Sequence, residues 1–291
     1  MNLTMYLLVV NPTSGGGKGS KIATEVRTEL KKLKLSYREL VGSSGESAQA
    51  LLREAISRDE IDAVIVVGGD GMINHVLQIL ANTKIPLLPI AAGTGNDFVR
   101  TLGIPMGINA LKLLSHASAE AIDLGRVNGR FFVNILSTGF DSLVNERANR
   151  MKIKNRIKYN LAMVIELPLF RPKSYRIEVD GKTFDSEAML IAIGNGQSYG
   201  GGMRVCPDAS LQDGTLDLMI LEPVSKFEFL RVFPKVYKGT HIYHPQVKIL
   251  KGKEIAISAS AVAYADGERI GALPIQVESI KGAIYTWINN G

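Results

Sequence analysis

The chain has 291 residues, 46% apolar and 21% charged, which suits one large or two modest globular domains with a sizeable core. No stretch carries the roughly 18 apolar residues that cross a bilayer as a helix. A formal net charge of +6 and an isoelectric point near 9.3 favour anionic partners: nucleotides, acidic membrane surfaces or nucleic acid.

Met1 to Val10 is apolar but has neither a basic start nor a small-residue cleavage site, so it reads as a first strand and not a signal peptide. The single cysteine, Cys206, rules out an internal disulfide and suits a reducing cytosol. The four histidines are scattered. His241 and His244 have no acid or cysteine nearby in sequence to complete a zinc site.

Tyr6 to Val10 predicts a strand that runs into Asn11-Pro12-Thr13-Ser14-Gly15-Gly16-Gly17-Lys18, followed by a helix with Ile22, Val26, Leu30 and Leu33 as its apolar stripe. Strand, glycine loop and helix is an arrangement that binds phosphate, because glycine leaves backbone N–H groups uncovered and the helix start is positive. It is not a Walker loop, since Pro12 stands where that loop needs a glycine. Ser36 to Val41 is a short strand, and Ser47 is the expected N-cap of a helix from Ala48 to Ser57.

The organising stretch is residues 61–74. A buried β-branched run ends in Gly68-Gly69-Asp70-Gly71, and Ile73, Val76, Leu77 and Leu80 then repeat at helical spacing. An acid inside an anion cradle needs a cation between it and the anion, and Mg²⁺ on a nucleotide's phosphates supplies one. Ile85 to Ile90 is a further strand, ending in Gly93-Thr94-Gly95-Asn96-Asp97-Phe98. Three glycine loops after three strands of a parallel sheet converge on one edge and predict a nucleotide site.

Near residue 122 the pattern changes to paired strands. Residues 122–127 and 130–136 flank Asn128-Gly129, a hairpin signal. Arg147, Arg150, Lys152, Lys154, Arg156 and Lys158 form a basic cluster before the apolar run Leu161 to Phe170, which reads as a solvated face or as a contact with acidic head groups. Residues 175–180, 188–193, 216–221, 247–250, 254–258 and 262–265 read as strands, and 227–236 as a helix. The second half is therefore a β-rich, sandwich-like domain. The expected division is residues 1–122 and 123–281, with a last strand from about 282 returning to the first domain.

Five segments now stand in order along the chain: Asn11-Pro-Thr-Ser-Gly15, Gly68-Gly-Asp-Gly71, Gly93-Thr-Gly-Asn-Asp-Phe98, Leu211-Gln-Asp-Gly-Thr-Leu-Asp217 and Asp266-Gly-Glu268. In these the chain resembles the bacterial diacylglycerol-kinase-like lipid kinases. The resemblance implies an α/β N-terminal nucleotide domain with a parallel sheet and a β-rich C-terminal domain, with the active site between them. It implies that ATP and Mg²⁺ are used, with Asn11, Pro12, Thr13, Ser14 and Gly15, then Gly68, Gly69, Asp70, Gly71, Met72, Ile73 and Asn74, then Gly93, Thr94, Gly95 and Asn96 around the nucleotide. Glu268 would accept the proton of the lipid hydroxyl, and Asp70 and Asp97 would join a water-linked magnesium network. A structural Mg²⁺ would sit on the Asp213 carboxylate beside the carbonyls of Ser210 and Thr215.

The chain departs from the family pattern at Met72, usually Thr, and at His75, usually Glu; its nearest cation after the first motif is Lys18. The expected partners are a lipid substrate and, peripherally, the acidic inner face of the membrane from a cytoplasmic location, with a homodimer as a further candidate. No nucleic-acid-binding pattern is present. The alternatives are an NAD kinase-like enzyme and a non-catalytic nucleotide- or lipid-binding regulator.

Overall fold

The computed structural model describes residues 5–42, 44–151 and 157–289. The chain divides into two units, Met1–Leu124 with Lys281–Gly291, and Gly125–Ile280. No helix among the described residues is long and apolar enough to cross a membrane.

The first unit alternates β1 (Met5–Val10), α1 (Ser14–Lys32), β2 (Ser36–Val41), α2 (Gly45–Arg58), β3 (Ala63–Gly68), α3 (Asp70–Leu80), β4 (Leu87–Ala91) and α4 (Asp97–Thr101). A 3₁₀ turn (Gly107–Lys112) and α5 (Leu113–His116) follow. The strands lie in the order β2-β1-β3-β4, all parallel. β3 is central and buried at every residue, which its unbroken Ala-Val-Ile-Val-Val run permits because both faces are covered. Helix α1 buries Gly19, Ala23, Val26 and Leu30; Ile22 is half-buried and Leu33 is exposed, so the apolar stripe is rotated from the expected one. Helix α2 begins earlier than expected. Ser44, not Ser47, is its N-cap, and its hydroxyl accepts the Ser47 N–H at 3.2 Å.

β5 (Glu120–Val127) carries the chain into the second unit. There follow β6 (Arg130–Phe132), β7 (Ile135–Gly139), α6 (Phe140–Arg150), α7 (Ile157–Glu166), β8 (Lys173–Val179), β9 (Lys182–Ala188), β10 (Leu190–Gly194) and β11 (Leu216–Leu221). Then come α8 (Lys226–Val232), β12 (Val247–Gly252), β13 (Glu254–Ser258), β14 (Val262–Ala265), β15 (Glu268–Ala272) and β16 (Ile275–Thr286). The end of β16 belongs to the first unit, where Thr286 pairs parallel with Leu87 and donates its hydroxyl to the Leu87 carbonyl at 2.7 Å.

Two antiparallel sheets form the second unit. One runs β12-β11-β10-β7-β14-β15, and the other holds β16, β13, β8 and β9. Their facing sides share one core that includes Ile191, Ile193, Leu218 and Ile220 against Ile177, Ile255, Ile257 and Val277. The outer side of the first sheet packs Met189, Ala192, Met219 and Leu221 on Phe140, Ala148, Ala162, Phe170 and Phe229 of the helical layer. β11 is therefore buried on both faces.

The hairpin expected over 122–136 is shorter than the sequence implies. Asn128 and Gly129 turn it at φ 48° and 77°, but β6 ends at Phe132 and β7 joins the other sheet. The expected strand 188–193 is two strands that break at Met189. The helix expected over 227–236 is α8 followed by a 3₁₀ segment, Phe233–Lys238, that opens at Pro234.

Candidate active site

In the first unit, three loops leave the carboxyl ends of β1, β3 and β4, the edge where a parallel sheet exposes its ligand crevice. The loops touch through glycines. A Cβ on Gly93 would stand 2.6 Å from the Gly69 Cα, and one on Gly69 would stand 3.4 Å from the Ser14 Oγ. A Cβ on Gly15 would lie 2.3 Å from the Ala92 carbonyl oxygen. No larger residue fits this convergence.

Inside the first loop, Asn11 accepts the N–H and the hydroxyl of Thr13 at 3.2 and 2.9 Å, and its own N–H donates to Val67 at 2.9 Å. The Pro12 carbonyl accepts the Ser20 hydroxyl at 3.2 Å. Gly15, Gly16 and Gly17 all adopt left-handed φ (59°, 73° and 98°), and open space surrounds the position of a Cβ at Gly16 and Gly17. Such a run can turn successive backbone N–H groups toward an anion, although that of Gly17 is donated to the Thr13 carbonyl at 3.3 Å. In the third loop, Asn96 sits at φ 54° and bonds both the N–H and the carbonyl of Gly93 (3.0 and 3.1 Å), which closes the turn and leaves Thr94 exposed at its tip.

Two carboxylates flank Gly95. A Cβ there would stand 2.5 Å from the Asp70 Oδ2 and 3.3 Å from the Asp97 Oδ2. Burial pushes the Asp70 carboxyl above the usual range and the Asp97 charge adds to it, against N–H bonds from Phe98, Asn96 and Asp97. Asp97 accepts Arg100 at 3.0 Å, and the same guanidinium donates to the Gly95 carbonyl at 3.1 Å. Two adjacent acids, Asp97 buried and Asp70 half-buried with its pKa raised, form an oxygen pair that suits a hard divalent cation.

Not every residue expected around the nucleotide turns outward. Met72, Ile73 and Asn74 are buried, with the Met72 Cβ packed under Gly68 and the Asn74 amide oxygen accepting Gln78 at 3.3 Å. His75 packs under Gly45 at the start of α2.

The second unit holds the remaining expected residues. Asp266 and Gly267 turn β14 into β15 at φ 48° and 84°. The Asp266 carboxylate accepts the N–H groups of Val133 (2.8 Å), Asn134 (3.0 Å) and Ile135 (3.2 Å), so it clamps the entry to β7. Replacing Asp266 by Ala is expected to lower stability by about 3 kcal/mol or more, since it leaves three N–H groups unpaired and each costs about 1–3. A denaturant titration checks this. Glu268 opens β15 and lines a cleft of about 500 Å³ with Glu146, Asn149 and Arg150 of α6 and with Tyr264, Gly267 and Arg269.

Elsewhere in this unit, the Asp213 Oδ1 accepts the N–H and hydroxyl of Thr215 at 2.9 and 2.8 Å, and its Oδ2 accepts Lys251 at 3.2 Å. The same ammonium lies 2.7 Å from the buried Asp217. Ser210 accepts the Gln212 N–H at 3.3 Å. Burial acts to raise the Asp213 carboxyl, but the bonds from Thr215 and Lys251 outweigh it and hold the pKa low.

One acid escaped the sequence reading. Asp141, in the first turn of α6, accepts Ser137 at 2.5 Å and Asn145 at 3.1 Å, and its burial pushes the carboxyl up. The strand-to-helix turn Gly139-Phe140-Asp141 was its only local signal.

Residues 5–127 match the diacylglycerol kinase catalytic domain, and residues 134–287 match the YegS C-terminal NAD kinase beta sandwich-like domain. A diacylglycerol kinase of Mycobacterium tuberculosis H37Rv is 38% identical over 286 residues, covering 95% of this chain and 92% of that protein. This decides the assignment. The chain belongs to the bacterial diacylglycerol kinase family. A Bacillus subtilis diacylglycerol kinase is 34% identical over 275 residues, covering 92% of this chain and 90% of its own length. The crystal structure of a diacylglycerol kinase from Bacillus anthracis superposes with a TM-score of 0.77 at 25% identity, covering 99% of this chain and 97% of that one. As a member of this family the chain is a lipid kinase, and its acceptor is an alcohol.

Proposed function

We infer that the protein transfers the γ-phosphoryl group of ATP to the hydroxyl of a lipid such as diacylglycerol, with Mg²⁺. The observation that carries this reading is the mutual contact of three glycine loops beside the paired acids Asp70 and Asp97. Phosphoryl transfer needs positioning and charge neutralisation more than covalent help from the protein.

Asn11 to Gly15 and Gly68 to Gly71 cradle the phosphates through backbone N–H groups. Gly93 to Asn96 closes over them with the exposed Thr94. Asp70 and Asp97 would hold Mg²⁺, directly or through water, and the ion would supply charge neutralisation for the phosphates. Glu268 takes the proton from the lipid hydroxyl as that oxygen bonds to phosphorus and the bond to the ADP oxygen breaks.

A second, structural Mg²⁺ would be held by Asp213 with the carbonyls of Ser210 and Thr215, in place of the Lys251 ammonium that lies 3.2 Å from Asp213 and 2.7 Å from Asp217.

The enzyme works in the cytoplasm, peripherally on the inner face of the membrane. In the expected basic cluster, Arg147 pairs with Glu166, and Lys158 lies 5.0 Å over the Tyr159 ring. Lys152, Lys154 and Arg156 lie outside the described residues.

The test is transfer of labelled γ-phosphate from ATP–Mg²⁺ to diacylglycerol in mixed micelles, with NAD as control acceptor. Labelled lipid is the expected product. Label on NAD alone, or on neither, overturns the reading.

A further inference from the structure

The helical layer of the second unit carries large apolar side chains on its outer surface. Leu169, just beyond α7, is 76% exposed, and Phe227 and Leu230 on α8 are 79% and 50% exposed. These positions form one surface. The Lys226 ammonium donates to the Phe170 carbonyl and lies 5.4 Å over the Phe170 ring. Beneath them, Phe140 makes edge contacts with both Phe170 and Phe229, at 5.2 and 5.1 Å.

Helix α8 is short but two-sided. It buries Phe229 and Val232 and turns Phe227, Leu230 and Arg231 outward, as spacings of three and four require. Tyr237, on the following 3₁₀ segment, is also exposed, edge-on to Phe233 at 6.4 Å. Residues 226–238 hold four cations (Lys226, Arg231, Lys235 and Lys238) against one carboxylate, Glu228. Glu228 is itself engaged by His244 at 3.1 Å.

We propose that this face, made by the end of α7 and by α8 with its 3₁₀ extension, docks on an anionic lipid bilayer, with Leu169, Phe227 and Leu230 entering the interface. Aromatic and leucine side chains ringed by Lys and Arg match the interfacial zone, where apolar bodies sink and cations reach the head groups. Charge decides between a bilayer and a second copy. An isologous dimer through this patch would bring like charges together, whereas acidic lipids neutralise them. The inference rests on the lipid-kinase reading for the reason a bilayer is approached, but its test does not need turnover.

The test is co-sedimentation, without ATP, on vesicles of equal parts phosphatidylglycerol and phosphatidylcholine and on phosphatidylcholine alone. The wild type is expected to bind the anionic vesicles, and less so as salt rises. Phe227→Ser with Leu230→Ser, and separately Lys235→Glu with Lys238→Glu, are each expected to weaken partitioning on the order of tenfold or more. Both pairs are exposed, so melting temperature and turnover of a short-chain, water-soluble acceptor should stay at wild-type values. Vesicle binding unchanged in both variants overturns the proposal. So does a wild type that ignores anionic vesicles, or a dimer that the apolar variant converts to monomer in light scattering. If no lipid is phosphorylated but vesicle binding falls as stated, the kinase reading fails and the docking face stands.

Discussion

Replacing Glu268 by Gln is expected to lower kcat by about 10²–10⁴-fold, the usual contribution of a positioned general base. Gln keeps the size and one acceptor oxygen of Glu but cannot take the hydroxyl proton. The KM for ATP should not move if, as proposed, the glycine loops of the first unit carry the nucleotide. Steady-state kinetics with each substrate varied in turn make the check. A Glu268→Gln enzyme at full activity removes this residue from the chemistry, and loss of ATP binding instead of turnover would make its role nucleotide binding. The neighbouring Asp266→Ala variant separates position from chemistry. It leaves the Glu268 carboxylate in place but frees the clamp on Val133, Asn134 and Ile135.

Asp70→Asn is expected to cost at least about 10²-fold in turnover, the scale for removing one charge-stabilising group, and yet to raise the melting temperature of the ligand-free protein. The sign follows from the raised pKa of Asp70, which burial and then Asp97 cause. A carboxyl whose folded pKa lies above its unfolded value contributes no penalty below the unfolded pKa, about 3.9. As pH rises through the folded value, the ionised form destabilises the fold, and Asn removes that penalty. The stability gain is therefore present at pH 7 and vanishes toward pH 4. ATP–Mg²⁺ should reverse the order, stabilising the wild type by mass action more than the variant. Melting curves at both pH values, with and without ATP–Mg²⁺, test each part. A variant less stable than wild type at pH 7 without ligand would show that the N–H bonds to Asp70 outweigh its burial.

The first unit was legible because its signals are local. Each strand runs into a loop that contains glycine, and the contact of Gly69 with Gly93 and the approach of Gly15 to the Ala92 carbonyl explain why no other residue stands there. The two-domain class was legible from the change of rhythm near residue 122. What was missed depends on distant partners. The role of Asp266 as a clamp rests on N–H groups 131 to 133 residues away. β9 escaped because Lys182 to Glu187 is polar on its outward side, as an edge strand can be. β15 opens with Glu268 and Arg269, whose charges read as a turn. Ser44 and Ser47 both look like caps, and only the hydrogen bond between them decides which one is. Leu230 is as apolar as its neighbours Phe229 and Phe233 in the expected helix, yet it faces outward.

The measurement that bears most directly on the central claim is the stoichiometry of ADP formed to lipid phosphate formed, followed from ATP–Mg²⁺ with and without diacylglycerol micelles. The expected result is one ADP per phosphorylated lipid, with little ADP when lipid is withheld. ADP released at the same rate without lipid, or released with no phosphorylated lipid, would show that the phosphoryl group goes to water and would contradict a lipid kinase built on these loops and Glu268.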